Sequence, residues 1–395
     1  MIDSLLYRKI FNEKFIQNIE NAYHNSNQKI NYISPLYGSS KSLLIKKLRV
    51  SVKQILCLYE DAKLVDEAGA ELNLLGLSDQ LIIISDLSSS SIQEKITELL
   101  KKDSFVMIST YEILKYKFPH REKLNNSTTT VSIGGDFAYD DLIEYLNLLN
   151  YSKDKFVEAP GDYSVRGSII DFWSYSEKNP VRLEFDGDFI ESIRNFDPES
   201  QRSIEQIESC TLAGSIEPGE SQHSSIFEYL TNPVVFASSF ELKNLFADSS
   251  KHIAEQKILS QETSLEIQEL NPNEIINKEQ EAEYEKSKQP DIFFDINSVD
   301  AHWVIEEELS SSSERIELGL SPAPSINSNY ELLKNILTEY TSKNFYVIIT
   351  AENDLQSNRL KELLSEINDK LAQLIECGKI KIYTMAIKEG FVHKD

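Results

Sequence analysis

The feature that most constrains this chain is a repeated alternation, between residues 30 and 116, of short apolar runs with segments of helical period. An extended run at Ile30–Leu36 leads through Gly38-Ser39-Ser40 into a helix-like Leu43–Leu48. Gln54–Tyr59, Leu81–Ser85 and Ser104–Ser109 read as strands, with helices expected at Ala62–Leu75, Ile92–Leu100 and near Tyr111–Tyr116. Strands alternating with helices imply a parallel sheet covered on both faces, and so an α/β fold. Ahead of this block, Leu5, Leu6, Ile10, Phe11, Phe15, Ile16 and Ile19 stand at helical spacing within residues 2–22.

The rhythm breaks around Pro119–Thr129, where a domain boundary is expected. A strand at Thr130–Gly134 and a helix at Tyr139–Leu149 follow. Residues 155–213 then become β-rich, with turn signals at Pro160-Gly161, Arg166-Gly167 and Asp186-Gly187-Asp188, which predicts a small antiparallel sheet. Residues 216–325 are less regular: a strand at Pro233–Ala237, a charged helix over roughly Ile253–Lys288, and short strands at Asp291–Asp295 and Glu314–Leu318. The β/α rhythm returns with a helix at Tyr330–Tyr340, a strand at Phe345–Thr350, a helix at Asp354–Leu374 and a strand at Ile380–Thr384.

Charge narrows the function classes. Of 395 residues, 40 are Lys or Arg and 64 are Asp or Glu, a net charge of -24. A surface this acidic repels a phosphate backbone and argues against generic nucleic-acid binding by the whole chain. The excess is uneven: -2 over residues 1–150, -6 over 151–215 and -16 over 216–395. The three cysteines, Cys57, Cys210 and Cys377, are far apart and form no C-x-x-C, so a reducing cytoplasm is expected. No apolar run is long enough to cross a bilayer, and Met1–Asn21 does not read as a signal peptide.

One turn invites a nucleotide reading. Pro35-Leu36-Tyr37-Gly38-Ser39-Ser40-Lys41-Ser42 lies between a strand and a helix, as a phosphate-binding loop does. Such a loop needs G-x-x-x-x-G-K-[ST], with glycines to let backbone N–H groups wrap the phosphates. Lys41 and Ser42 are in place, but the glycine positions hold Pro35, which has no N–H, and Ser40, which adds a Cβ. The expectation is a degenerate phosphate loop, comprising Gly38, Ser40, Lys41 and Ser42, without its ligand. For a Mg²⁺-holding acid at a strand end, Asp66-Glu67 falls on a helical pattern and Asp291–Asp295 has no following Glu. His24, His120, His223, His252, His302 and His393 have no metal spacing, and no nucleophile motif is present, so neither catalytic nor metal-binding residues are expected.

The most informative stretch is residues 157–203. Val165, Ile169, Phe172, Val181, Leu183, Phe185, Phe189 and Ile193 can supply a hairpin core, while Arg182 and Glu184 fall on the face opposite Val181, Leu183 and Phe185. Arg166, Arg182, Arg194 and Arg202 can pair with Asp171, Glu184 or Asp197. Exposed arginine on a sheet face is also a usual anchor for protein contact.

This stretch resembles the second domain shared by UvrB and the bacterial transcription-repair coupling factor family, Mfd. The resemblance rests on Pro160-Gly161, Tyr163, Val165-Arg166-Gly167, Arg182-Leu183-Glu184-Phe185, Gly187-Asp188-Phe189-Ile190-Glu191-Ser192-Ile193-Arg194, Phe196-Asp197-Pro198 and Gln201-Arg202, with flanking support at Tyr37–Lys41, Ile226–Leu230 and Glu389-Gly390-Phe391. The degraded turn at 35–42 and the absence of an aromatic-rich hairpin between 60 and 120 favour the coupling factors over UvrB, an ATPase. The resemblance implies a degenerate P-loop-type α/β domain in two parts, 1–120 and 215–325, around an inserted α+β domain at 121–214, with a separate small α/β domain at 326–395. It implies a non-enzymatic amino-terminal piece of a longer ATP-dependent DNA translocase. UvrA is the implied partner, bound through Arg166, Arg182 and Phe185. Where the family pattern has Glu-Phe-Phe-Gly-Asp, this chain has Asp186 for the second aromatic. RNA polymerase, DNA, ATP and Mg²⁺ would belong to later domains of the longer protein, with no cofactor and no membrane for this chain. The alternative is a UvrB-type ATP-dependent repair enzyme, supported by Lys41-Ser42 alone.

Overall fold

The computed structural model describes residues 16, 17, 20, 29–119, 121, 128–135, 137–214, 223–246, 296, 299–308, 315–326, 329–385 and 387–394. The helix expected within 2–22 lies almost wholly outside these residues, and so do Ile253–Lys288 and Asp291–Asp295.

Six strands form one parallel sheet in the order Ile30–Ile33, His302–Glu306, Val234–Ser238, Gln54–Tyr59, Phe105–Thr110, Leu81–Ile84. Its middle strands are apolar on both faces because both are covered, as a parallel sheet requires. Along Gln54–Tyr59, Ile55 and Cys57 pack with Leu43, Leu44, Val65 and Leu72 of the helices Ser40–Leu48 and Ala62–Leu72. Leu56 and Leu58 pack on the other side with Ile92, Ile96 and Leu99 of the helix Ser89–Leu100. The helix Ala62–Leu72 starts where the Asp61 carboxylate accepts the Leu64 N–H, satisfying a free first-turn donor.

Two strands of this sheet come from beyond residue 230. Val234–Ser238 is the expected strand shifted by one residue, but His302–Glu306 was not expected at all. Its His-Trp-Val-Ile-Glu run has only three consecutive large apolar residues and no alternation, so local pattern does not mark it. The segment expected as a strand at Glu314–Leu318 contributes a single bridge, Ile316 to Ile33. The helix expected near Tyr111–Tyr116 is one 3₁₀ turn, Tyr111–Leu114.

Between Phe105–Thr110 and Val234–Ser238 in sequence lies a module with its own core. Its sheet runs Ser203–Ile207, Phe189–Phe196, Val181–Asp186, Ile169–Phe172, Asp162–Arg166, Ser152–Lys153, antiparallel except for the last pair. The helix Tyr139–Leu148 covers one face through Leu142 and Leu146, and Thr128–Ser132 pairs with Ser209–Ala213 to close the same core.

The distal segment pairs Val347–Ala351 with Ile380–Thr384 in parallel and centres a small core on Leu337, Leu364, Leu371 and Ile380. The single helix expected at Asp354–Leu374 is two, Asp354–Ile367 and Asp369–Glu376. Asn368 is extended and its side chain accepts the Lys370 N–H, so it caps the second helix and stops the first. A ribbon of Leu320–Pro322 and Phe391–His393 bounds this segment. Among the described residues, no helix is long and apolar enough to cross a membrane.

Candidate partner-binding face and the turn at residues 35–42

The module's sheet has a covered face and an open one, and the pleat decides which residues meet which. Val181, Leu183 and Phe185 point into the core, as period two requires, while Arg182 and Glu184 lie on the open face. Cross-strand register puts Ser164, Asp171, Arg182, Arg194 and Gln206 side by side on that face. Asp171 is its centre. This carboxylate is fully buried, accepts from both Nε and Nη2 of Arg182 at 2.7 and 2.8 Å, and also accepts from Arg166. A buried carboxylate needs such donors, because desolvation without them is prohibitive. Arg182 lies against the Phe196 ring, 4.7 Å from its centroid. Its hydrogen bonds to Asp171 outweigh partial burial and raise its pKa above the ordinary arginine value.

Arg166 is held more loosely. Its side chain is 44% exposed, and the Phe156 ring lies beneath it at 5.8 Å with Lys155 on the same ring at 5.4 Å. Further along the face Arg194 pairs with Glu184, both partly exposed. Phe185 is not on this face. At 4% exposure it lies in the core with its ring edge-on to Tyr139. A bulge after Glu184 resets the register, and the hairpin ends with Asp186 opposite Phe189, a phenylalanine 72% exposed.

The turn at 35–42 follows the strand Ile30–Ile33 at the carboxyl end of the parallel sheet, where α/β sheets bind ligands. Here Lys41, the Leu36 N–H and the hydroxyls of Ser39 and Ser42 already have partners within the chain. Lys41 Nζ is 3.1 Å from Glu306 Oε1 and 4.7 Å from the Tyr59 ring centroid, and the Leu36 N–H donates to Glu306 Oε2 at 3.0 Å. Burial works to lower the Lys41 pKa, but Glu306, with smaller contributions from Tyr59, Cys57 and Tyr111, raises it above the ordinary lysine value. Burial also pushes the Cys57 thiol up to about 12. Ser39 and Ser42 both donate their hydroxyls to the Glu71 carboxylate. Ser40 is fully buried, and its hydroxyl has no partner among the described residues.

A second segment sits on this turn. The Ser39 N–H donates to the Glu389 carbonyl at 2.9 Å, the Glu389 N–H donates to Ser39 Oγ at 3.2 Å, and the Lys388 N–H donates to Glu71 at 3.3 Å. Gly38 has φ +52° because the backbone passes under residues 389 and 390. An added Cβ would lie 2.6 Å from the Gly390 carbonyl oxygen and 2.8 Å from that of Glu389. Glu71 and Glu306 escaped the sequence reading, and Glu389-Gly390-Phe391 was singled out there for its resemblance but not for its contact with the turn. Glu306 is an acid at the end of an apolar strand, the signal sought at Asp66-Glu67 and Asp291–Asp295, but its strand was not recognised. Glu67 lies on the helix Ala62–Leu72, as its helical pattern predicts, and forms an ion pair with Lys388.

Set beside known proteins, the module is the part that identifies the class. Residues 130–216 match the family model described as the UvrB interaction domain. The chain as a whole is similar to the amino-terminal region of transcription-repair coupling factors. It is 22% identical to the Staphylococcus aureus (strain USA300) coupling factor over 457 residues, covering 98% of this chain and 39% of that protein. Identity to the Bacillus subtilis (strain 168) protein is 26% over 186 residues, 46% of this chain and 15% of that one. It reaches 45% over 82 residues for the Myxococcus xanthus protein, 21% of this chain and 7% of that one. The chain thus spans well under half the length of these relatives.

Proposed function

We propose that this chain is a non-catalytic recruitment region that binds the nucleotide-excision-repair protein UvrA through the open face of its inserted module. The observation that carries the reading is the arginine-lined face around Asp171 inside the segment matching the UvrB interaction domain. Arg166 and Arg182 are the assigned contact residues; Phe185, the third contact that the resemblance implied, is buried in the core and supports the strand instead. The assigned division is 1–120 and 215–325 as one α/β domain of degenerate P-loop type, 121–214 as the inserted module and 326–395 as the distal domain. It is supported by a sheet whose strands come from both sides of the module. In a longer coupling factor, ATP, Mg²⁺, DNA and RNA polymerase would be handled by later domains. Cytoplasmic residence is proposed from three free cysteines, two of them buried. Against the UvrB-type ATPase alternative stands the engagement of Lys41 and Ser42 by Glu306 and Glu71.

The binding test must respect Asp171, since removing both arginines strands a buried carboxylate. Arg166→Ala, and Arg182→Ala combined with Asp171→Asn, should each weaken capture of purified UvrA while circular dichroism stays unchanged. Normal capture by both would withdraw the site assignment. Calorimetry with ATP and Mg²⁺ tests the non-catalytic part: clear binding abolished by Lys41→Ala would replace it with the ATPase reading.

A further inference from the structure

We infer that the turn at 35–42 is an intramolecular socket whose ligand is the chain's own segment Ile387–Phe391, and that it latches the distal α/β segment to the parallel sheet. Four independent features converge on this. First, the contact between Ser39 and Glu389 is reciprocal: the backbone N–H of one donates to the carbonyl of the other, and the second backbone N–H returns to the first residue's hydroxyl. Second, the Glu71 carboxylate bridges turn and segment, accepting from Ser39, Ser42 and the Lys388 N–H. It sits at the amino end of the helix Ser40–Leu48, where the helix favours a negative charge. Third, the left-handed Gly38 brings the backbones together, leaving no room for a side chain between residue 38 and the carbonyls of 389 and 390. Fourth, Met385, Ile387 and Phe391 pack against the apolar cluster under the turn, and Lys388 pairs with Glu67 on the neighbouring helix.

The segment joins the strand Ile380–Thr384 to the ribbon strand Phe391–His393, so fixing it fixes both ends of the distal segment's last strand pair. The turn therefore recognises a peptide backbone passing close over Gly38, and the acids around it do for the fold what an anion would do for an empty loop. The inference does not depend on UvrA binding.

Hydrogen exchange read by mass spectrometry on the whole chain tests it. In the wild type, peptides covering 387–394 should be protected well beyond an exposed loop. Gly38→Val should speed their exchange by roughly tenfold or more, while the sheet peptide covering Gln54–Tyr59 stays unchanged. Should that variant fail to fold, Glu71→Gln keeps the shape and removes one acceptor oxygen. It should give a smaller acceleration in the same peptides, and trypsin should then cut after Lys388 faster than in the wild type. Unchanged protection of 387–394 in Glu71→Gln or in a folded Gly38→Val, or wild-type protection no better than an exposed loop, overturns the latch.

Discussion

The turn at 35–42 and the open face of the inserted module are built from the same materials, cations paired with carboxylates on a sheet, yet they are arranged oppositely. At the turn, Lys41, Ser39 and Ser42 each direct their donors inward to Glu306 or Glu71, and a length of backbone lies on top. On the module, Asp171 holds Arg182 firmly and Arg166 by one contact, leaving the outer arginine half in solvent beside an exposed ring. A motif resembling a ligand loop is closed on itself, whereas a motif with no catalytic signature keeps free valence pointing outward. Unused hydrogen-bonding capacity, more than motif identity, marks the surface available to another molecule.

The contrast can be broken most strongly at Asp171. Asp171→Ala should lower stability by about 3–5 kcal/mol in urea denaturation, because a buried ion cluster loses its centre. Glu184→Ala, one register step away in an exposed pair, should change it by no more than about 1 kcal/mol. Equal effects would mean that Asp171 is no framework residue. The two phenylalanines of the hairpin should separate as sharply. Phe185→Ala removes a core ring and should lose about 3–5 kcal/mol, while Phe189→Ala should stay within about 0.5 kcal/mol. Any effect of the latter on partner capture would then belong to the surface alone.

At the turn, Glu306→Gln keeps an acceptor for the Leu36 N–H but leaves Lys41 without its counter-charge, a loss of about 1–3 kcal/mol at neutral pH. Its pH dependence is diagnostic. In the wild type the raised Lys41 pKa contributes stability present below 10.5 and lost only as pH climbs through the higher folded value. With Glu306 neutral, burial dominates and lowers the folded pKa, so stability should rise with pH towards 10.5, as thermal melting at several pH values would record. The smallest effect concerns Glu67, whose pKa is lowered mainly by its hydrogen bond from Lys388. Its contribution is present above 4.5 and fades as pH falls through the depressed value, so exchange at 387–391 should accelerate slightly on acidification.

What could be read from the sequence was whatever repeats locally. Gln54–Tyr59 and Ile380–Thr384 were located to the residue because an apolar run between turns carries its own signal. Alternation along Val181–Asp186 separated the open face from the core and placed Phe185 inward. The pairing of arginines with Asp171 and Glu184 was anticipated, since acids on neighbouring strands of one hairpin are close in sequence too. The closure of the turn was not legible, because Glu71, Glu306 and Glu389 approach Ser39 and Lys41 only through folding across distant segments. The break at Asn368 was not read, because the apolar period continues through it to Leu374 and only the extended backbone and side-chain cap of Asn368 divide the two helices.

The strand order carries a consequence for how such a chain is made. Ile30–Ile33 pairs only with His302–Glu306 among the described strands, and Gln54–Tyr59 meets Val234–Ser238 across the whole inserted module. During synthesis the earlier strands emerge long before their neighbours, so one edge of Gln54–Tyr59 stays open and Ile30–Ile33 stays unpaired while the module is completed. The module has its own core and pairs its first strand, Thr128–Ser132, with its last, Ser209–Ala213, so its ends lie together and the loop that the later strands must close is shortened once it has formed.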